Sequence, residues 1–183
     1  YSPVWCSIIW SQMSELSIEH AGQTAAFTAE FLTSLDQISA AQWNSITGTG
    51  YPFLRHEFLY GLEKTACTTA DTGWQPCHLL LRQGGELAAV MPLYLKSHSY
   101  GEYVFDWAWA DAYQRHGLPY YPKLLGAAPF TPVPGSRLLA VDDAARDVLL
   151  QAVLAFARQQ GLSSAHLLFL SAADRAACAR AGW

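Results

Sequence analysis

The sequence predicts an α/β fold of α+β character, a mixed β-sheet flanked by helices, and three features carry that expectation. Two apolar runs meet at Gly84-Gly85, the pattern of an early antiparallel hairpin. Later the chain alternates apolar runs with helical periodicity in a β-α-β-α order, which asks for a crossover and hence a parallel pair. Hydrophobic residues make up 51% and charged residues 14% of the 183, so a sizeable core is available and disorder is excluded.

Taken in order, residues Phe27 to Ile38 alternate imperfectly and fit either a strand or a short helix. Ser39-Ala40-Ala41-Gln42 is a capping box, so a short helix is predicted from Ala40 to about Thr47, ended by Gly48-Thr49-Gly50. After Pro52, residues His56 to Ala66 place Phe58, Leu59 and Leu62 at helical spacing. The hairpin pairs Cys77–Arg82 with Glu86–Met91, and Pro92 sets the second strand near a bulge or an edge. From Tyr94 to Pro134 the aromatics, prolines and glycines argue against long regular elements, and such an irregular stretch is where a site is expected. Asp142 or Asp143 then caps a helix with Val148, Leu149, Ala152, Val153 and Phe156 on its apolar face, stopped at Gly161. Ala165 to Leu170 reads as a buried strand, and Ser171 opens a final Ala-rich helix with Gly182 as its C-cap.

The opening lacks Met until Met13, so residues 1–12 are expected to be an extension outside the fold, and 13–183 a single domain. The apolar stretch Val4 to Trp10 is too short to span a bilayer and lacks the basic flank of a signal peptide, so no membrane insertion is expected. Net charge is -4 and the basic residues are scattered singly, unlike a nucleic-acid-binding stripe. The four cysteines, Cys6, Cys67, Cys77 and Cys178, are too dispersed for a zinc knuckle or redox pair, and reduced thiols in the cytoplasm are the expectation. No phosphate-cradling loop, zinc-protease helix, nucleophile elbow or calcium loop is present, and no metal is expected. Arg82-Gln83-Gly84-Gly85 reads as a hairpin turn and not as a coenzyme A pyrophosphate loop. The six histidines lie far apart, and His78 and His166, in strand-like runs, read as core or rim histidines.

Residues Lys96 to Asp111 (KSHSYGEYVFDWAWAD) crowd a Lys, a His, three carboxylates and several large aromatics around Gly101. Such a set can stack a polar ligand and hold a carboxylate of raised pKa as a proton acceptor. It can equally be a loop whose aromatics plug the core while its charges face water.

This segment belongs to a longer series: Tyr51-Pro52-Phe53-Leu54, Gly73-Trp74, Pro92 to Asp106, Trp109-Ala110-Asp111-Ala112-Tyr113, Tyr120-Tyr121-Pro122-Lys123-Leu124, Pro129-Phe130-Thr131-Pro132 and Arg137-Leu138-Leu139. In that order the blocks resemble the FemAB-like proteins, predicted N-acyltransferases of peptidoglycan biosynthesis or recognition, over about Ser39 to Trp183. The resemblance implies a GNAT-like domain and an acyl or aminoacyl transfer to an amine. It further implies a small-molecule or cell-wall-precursor substrate, with aminoacyl-tRNA among the donors. It also implies an N-terminal half, with a second half as intramolecular partner. The cofactor is left open. For such a transfer His98, Glu102, Asp106 and Asp111 are the candidate proton acceptors. Lys96, Lys123 and Tyr121 are candidates to hold an anionic group of the substrate, with Tyr100, Trp109 and Thr131 as further substrate contacts. The competing reading is a non-catalytic module that binds a cell-wall precursor.

Overall fold

The computed structural model describes residues 16–18 and 26–183. The expectation for residues 1–12 lies outside the described residues. Among the described residues, nine strands form two sheets. The first is five-stranded and antiparallel throughout, with β1 (Leu16–Ile18), β2 (Phe27–Leu32), β4 (His78–Gln83), β5 (Glu86–Met91) and β8 (Leu139–Ala140) side by side in that order. The second orders β3 (Trp74–Pro76), β6 (Leu93–Lys96), β7 (Lys123–Gly126) and β9 (Ala165–Leu167). Its β7 and β9 run parallel, which supplies the mixed pairing that the crossover requires.

The ambiguous stretch after Phe27 resolves into both alternatives in turn, strand β2 and then a 3₁₀ turn over Leu35–Gln37. Helix α1 (Ala40–Thr47) starts at the predicted capping box: Ser39 Oγ accepts from the Gln42 amide, and Gln42 Oε1 accepts from the Ser39 amide. Helix α2 (His56–Lys64) follows a second 3₁₀ turn, Pro52–Leu54. The β4–β5 hairpin turns at Gly84-Gly85, both at positive φ, and its register slips between Leu81 and Arg82. Pro92 does more than mark a bulge or an edge. It sits where the chain leaves the five-stranded sheet and enters the other as β6.

Helix α4 (Asp143–Gln159), capped by Asp142 Oδ1 on the Ala145 amide, makes the crossover from β7 to β9. Its Val148, Leu149, Ala152, Val153 and Phe156 pack with Leu79, Leu81, Met91, Leu93, Leu95 and Leu124 in one core that joins the inner faces of both sheets. Helices α1 and α2 cover the other face of the five-stranded sheet through Trp43, Leu59, Leu80 and Val90. Helix α5 (Ala172–Arg180) closes the end, capped by Ser171.

Two expectations need correction. Between Tyr94 and Pro134 lie helix α3 (Trp107–Arg115) and strand β7, because no proline occurs between Pro92 and Pro119 and the prolines flank those elements instead of breaking them. The run from Ala165 to Leu170 is only half-buried, because β9 is an edge strand of three residues.

Candidate functional site

One face of the four-stranded sheet faces the main core through Leu93, Leu95 and Leu124. Alternation along the strands therefore sends Tyr94, Lys96, Lys123 and Leu125 to the opposite face. Register adds Trp74, opposite Lys96, and His166, opposite Leu125. Residues 97–106 fold back over this face. The Glu102 amide donates to Ser99 O at 3.2 Å and the Asp106 amide to Ser99 Oγ at 3.3 Å, so both carboxylates turn inward.

The result is a buried four-charge cluster. Lys123 Nζ donates to Glu102 Oε2 at 3.0 Å and to Asp106 Oδ2. Lys96 Nζ donates to Tyr100 O at 3.0 Å and lies 3.8 Å from the centre of the Trp74 ring. Trp74 Nε1 donates to the same carbonyl, at 3.0 Å. His166 Nδ1 is 4.0 Å from Asp106 Oδ2. Glu102 Oε1 and the Tyr121 hydroxyl are buried and have no partner among the described residues.

These surroundings set the protonation equilibria. Burial, reinforced by the Lys123 charge and opposed by Glu102, pulls Lys96 down to about 7. Burial pushes Glu102 up, against the pull of Lys123 and Lys96. At Asp106 burial pushes the same way, but the Lys123 hydrogen bond and charge, helped by Tyr120 and His166, outweigh it and hold the carboxyl below its usual range. Burial and the neighbouring lysines keep His98 and His166 below the ordinary imidazole value. Tyr120 is raised by burial and by its bond to Asp106.

Beside the cluster opens a cavity of about 340 Å³ to which Glu102 contributes. Trp74, Tyr103, Phe105, Phe130 and Phe169 supply ring-bearing walls. Phe130 and Phe169 have φ of 57° and 56°, a left-handed conformation that is costly for a bulky residue and is held by the surrounding structure. Of the two arrangements open to the Lys96–Asp111 segment, the structure adopts neither as drawn. The charges of Lys96, Glu102 and Asp106 are inside, and the rings of Tyr100, Tyr103, Phe105, Trp107 and Trp109 are exposed.

Among known families, residues 34–183 match the one described as peptidoglycan biosynthesis/recognition, FemAB-like. The chain belongs to that family. No curated protein and no solved structure matches it. Membership places this FemAB-like chain in peptidoglycan biosynthesis, with a cell-wall precursor as the substrate class the family suggests. Among the described residues no helix is long and apolar enough to cross a membrane, and no group of three His, Cys, Asp or Glu side chains is placed to hold a metal.

In the FemAB-like chain Lys96, Glu102, Asp106 and Lys123 converge, and Tyr121 joins them with its ring centre 6.0 Å from Lys123 Nζ. Thr131 lines the cavity, its hydroxyl donating to Pro129 O. Tyr100 joins through its carbonyl while its ring is exposed. His98 stands at the margin, half-buried, with Nδ1 accepting from the Tyr100 amide. Trp109 and Asp111 do not converge: Trp109 is 66% exposed on α3, and Asp111 is exposed 4.0 Å from Arg115. Trp74, Tyr120, His166, Phe130 and Phe169 reach the site as well, beyond the residues expected from the sequence. Trp74, Tyr120 and Phe130 stand inside the quoted family blocks, whereas His166 and Phe169 carry no local signal and arrive through the β7–β9 pairing. His78 is a satisfied core histidine: Nδ1 accepts from the Leu93 amide, so Nε2 carries the proton shared with Glu63.

Proposed function

We propose that this chain is a GNAT-like acyltransferase domain, residues 13–183, that passes an acyl or aminoacyl group to an amine of a peptidoglycan precursor. The observation that carries the reading is Glu102, a buried carboxyl of raised pKa with one oxygen held by Lys123 and the other unpartnered, on a cavity large enough for a substrate arm. In the reaction a neutral amine attacks the acyl carbon. The nitrogen–carbon bond forms, the donor's carbon–oxygen bond breaks, and Glu102 Oε1 takes the amine proton and returns it to the leaving oxygen. Asp106 is the poorer acceptor, since Lys123 keeps it ionised and occupied; its role is to hold Lys123 in place. Tyr121 offers a hydroxyl to the developing oxyanion or to the substrate. The three described cysteines are unpaired, which suits a reducing cytoplasm. Aminoacyl-tRNA is the donor we would test first, and a second domain is the partner expected to complete the cleft.

A specific observation favours a second reading as a precursor-binding module. The exposed rings, with Phe105 and Trp107 stacked at 5.1 Å, offer flat apolar faces to a sugar. One experiment separates the two. The intact protein is incubated with an amine-bearing muropeptide and a labelled aminoacyl-tRNA pool, and products are followed by mass. Transfer that falls about 10²–10⁴-fold in Glu102→Gln supports the transferase. Transfer indifferent to that change removes Glu102 as the base, and binding without any transfer favours the module.

A further inference from the structure

The cavity differs in kind from the charged cluster beside it. Five ring-bearing residues line it: Trp74, Tyr103, Phe105, Phe130 and Phe169. Trp74 and its fellow wall residues Ala127 and Ala128 are buried, whereas Tyr103, Phe105 and Phe130 are exposed. The wall therefore runs from an apolar floor to a rim of rings that opens on solvent. Polar side chains of the wall are spent within the protein. Trp74 Nε1 donates to Tyr100 O, and the Thr131 hydroxyl donates to Pro129 O. The Glu102 side chain is 2% exposed and its carboxylate is turned to Lys123, so it offers the cavity no charge to bind. Lys96 Nζ already stands over the Trp74 ring, 3.8 Å from its centre, where a bound cation would otherwise be attracted.

The ring wall is also held against backbone preference. Three non-glycine residues have positive φ among the described residues, and two of them, Phe130 and Phe169, line this cavity. Bulky residues rarely adopt that conformation, and strain kept at one place points to a function there. Each strained ring meets another across the wall. Phe130 lies 5.1 Å from Trp74 at 50°, and Phe169 lies 5.8 Å from Tyr103 at 66°. Such tilted walls present both faces and edges, which a planar ring can use and an alkyl chain cannot. An apolar cavity of about 150 Å³ holds one benzene ring, so 340 Å³ has room for two fused rings. A sugar fits poorly inside, because its hydroxyls would leave water without gaining partners.

We propose that this cavity is a specificity pocket for an uncharged aromatic group of one or two fused rings, with the polar end of the ligand left outside the rim. The pocket goes beyond the transferase reading and does not depend on it. It is also distinct from the exposed Phe105–Trp107 stack that favours the precursor-binding module.

The test uses 2-naphthalenemethanol, benzyl alcohol, 1-pentanol, N-methylpyridinium and methyl glucoside, with binding followed by Trp fluorescence and calorimetry at pH 7.5. Benzyl alcohol is expected to bind about 2–10-fold more tightly than pentanol, with the two-ring alcohol tighter again. N-methylpyridinium should bind about tenfold more weakly than benzyl alcohol, and methyl glucoside should not bind in the cavity. Phe130→Gly removes a wall ring and supplies the residue that the left-handed backbone favours. It is expected to lower benzyl alcohol affinity about tenfold without lowering the melting temperature. Phe169→Gly should do the same, and it decides the matter should Phe130→Gly not fold. Equal binding of benzyl alcohol and pentanol overturns the proposal. So does tighter binding of N-methylpyridinium, which would make the pocket a cage for cations, or ring affinity unchanged in both glycine variants. Ring binding without any acyl transfer leaves the pocket standing and removes only the transferase.

Discussion

Lys96 and Lys123 are direct cross-strand partners on β6 and β7, and both side chains are wholly buried. Like charges placed so are destabilising, and the partners are shared unequally. Lys123 holds two carboxylates, whereas Lys96 has a carbonyl and a ring face. The electrostatic load of the pair therefore falls on Lys96, the lysine that is pulled down to about 7.

Lys96→Met is accordingly expected to stabilise the protein at pH 7, by about 1–4 kcal/mol, as buried ions replaced by apolar groups of similar shape often do. The sign of the pH dependence follows from the lowered value. Between about 7 and the ordinary lysine value of 10.5, the unfolded chain binds a proton that the folded chain has lost. Wild-type stability should then rise with pH across that window through this residue. Urea unfolding at pH 7, 8 and 9 should show that rise shrinking in Lys96→Met; an unchanged difference between the proteins would count against a strained lysine.

Lys123→Met should act in the opposite direction. It leaves Glu102 and Asp106 buried without their cation, which costs about 3–5 kcal/mol at pH 7. In the wild type, Asp106 is held low, so its contribution is present above the unfolded carboxylate value and lost as pH falls through the folded one. Without Lys123 both carboxyls titrate above the unfolded value, and the folded state gains protons first. The deficit of the variant should therefore shrink toward pH 5, measured as the difference in unfolding free energy at pH 5 and 7.

What the sequence made legible divides by range. The Ser39–Gln42 box, the Gly84-Gly85 hairpin and the Asp142 cap are fixed by neighbours within four residues, and each appears where local chemistry puts it. The crowding of Lys96, Glu102 and Asp106 was legible too, but its orientation was not. Whether carboxylates point in and rings point out depends on Lys123 and Trp74 arriving on adjacent strands. Hydrophobicity alone argues for the reverse, since aromatics are normally the buried partners. The division into two sheets at Pro92 was equally hidden, because an X-Pro break reads alike at a bulge, an edge or a change of sheet.

Asp174, at the start of α5, anchors the segment that follows the cavity wall. Its carboxylate accepts from Ser136 Oγ and from the amides of Arg137 and Leu138. Asp174→Ala strands buried donors and is expected to cost about 2–5 kcal/mol. If the anchor also positions Phe130, probe binding in the cavity should weaken at temperatures where the variant is still folded. Thermal unfolding followed by calorimetry at a fixed temperature reads both effects.

Gly101 offers the sharpest test of cavity shape. Its φ is 79°, and a Cβ there would stand 2.7 Å from both Phe130 Cε1 and Trp74 Nε1, two walls of the cavity. Gly84 also has positive φ, at 58°, but a Cβ there meets nothing within 4 Å. Each alanine variant carries the left-handed backbone cost of about 1–2 kcal/mol, so both should melt earlier. Only Gly101→Ala must also displace a ring. An apolar alcohol such as 1-pentanol, used to probe the cavity, should therefore lose affinity in Gly101→Ala by about tenfold or more, and keep it in Gly84→Ala. A Gly101→Ala protein that binds pentanol as the wild type does would mean that the alcohol sits elsewhere, because the added carbon cannot be accommodated while Trp74 and Phe130 stay where they are.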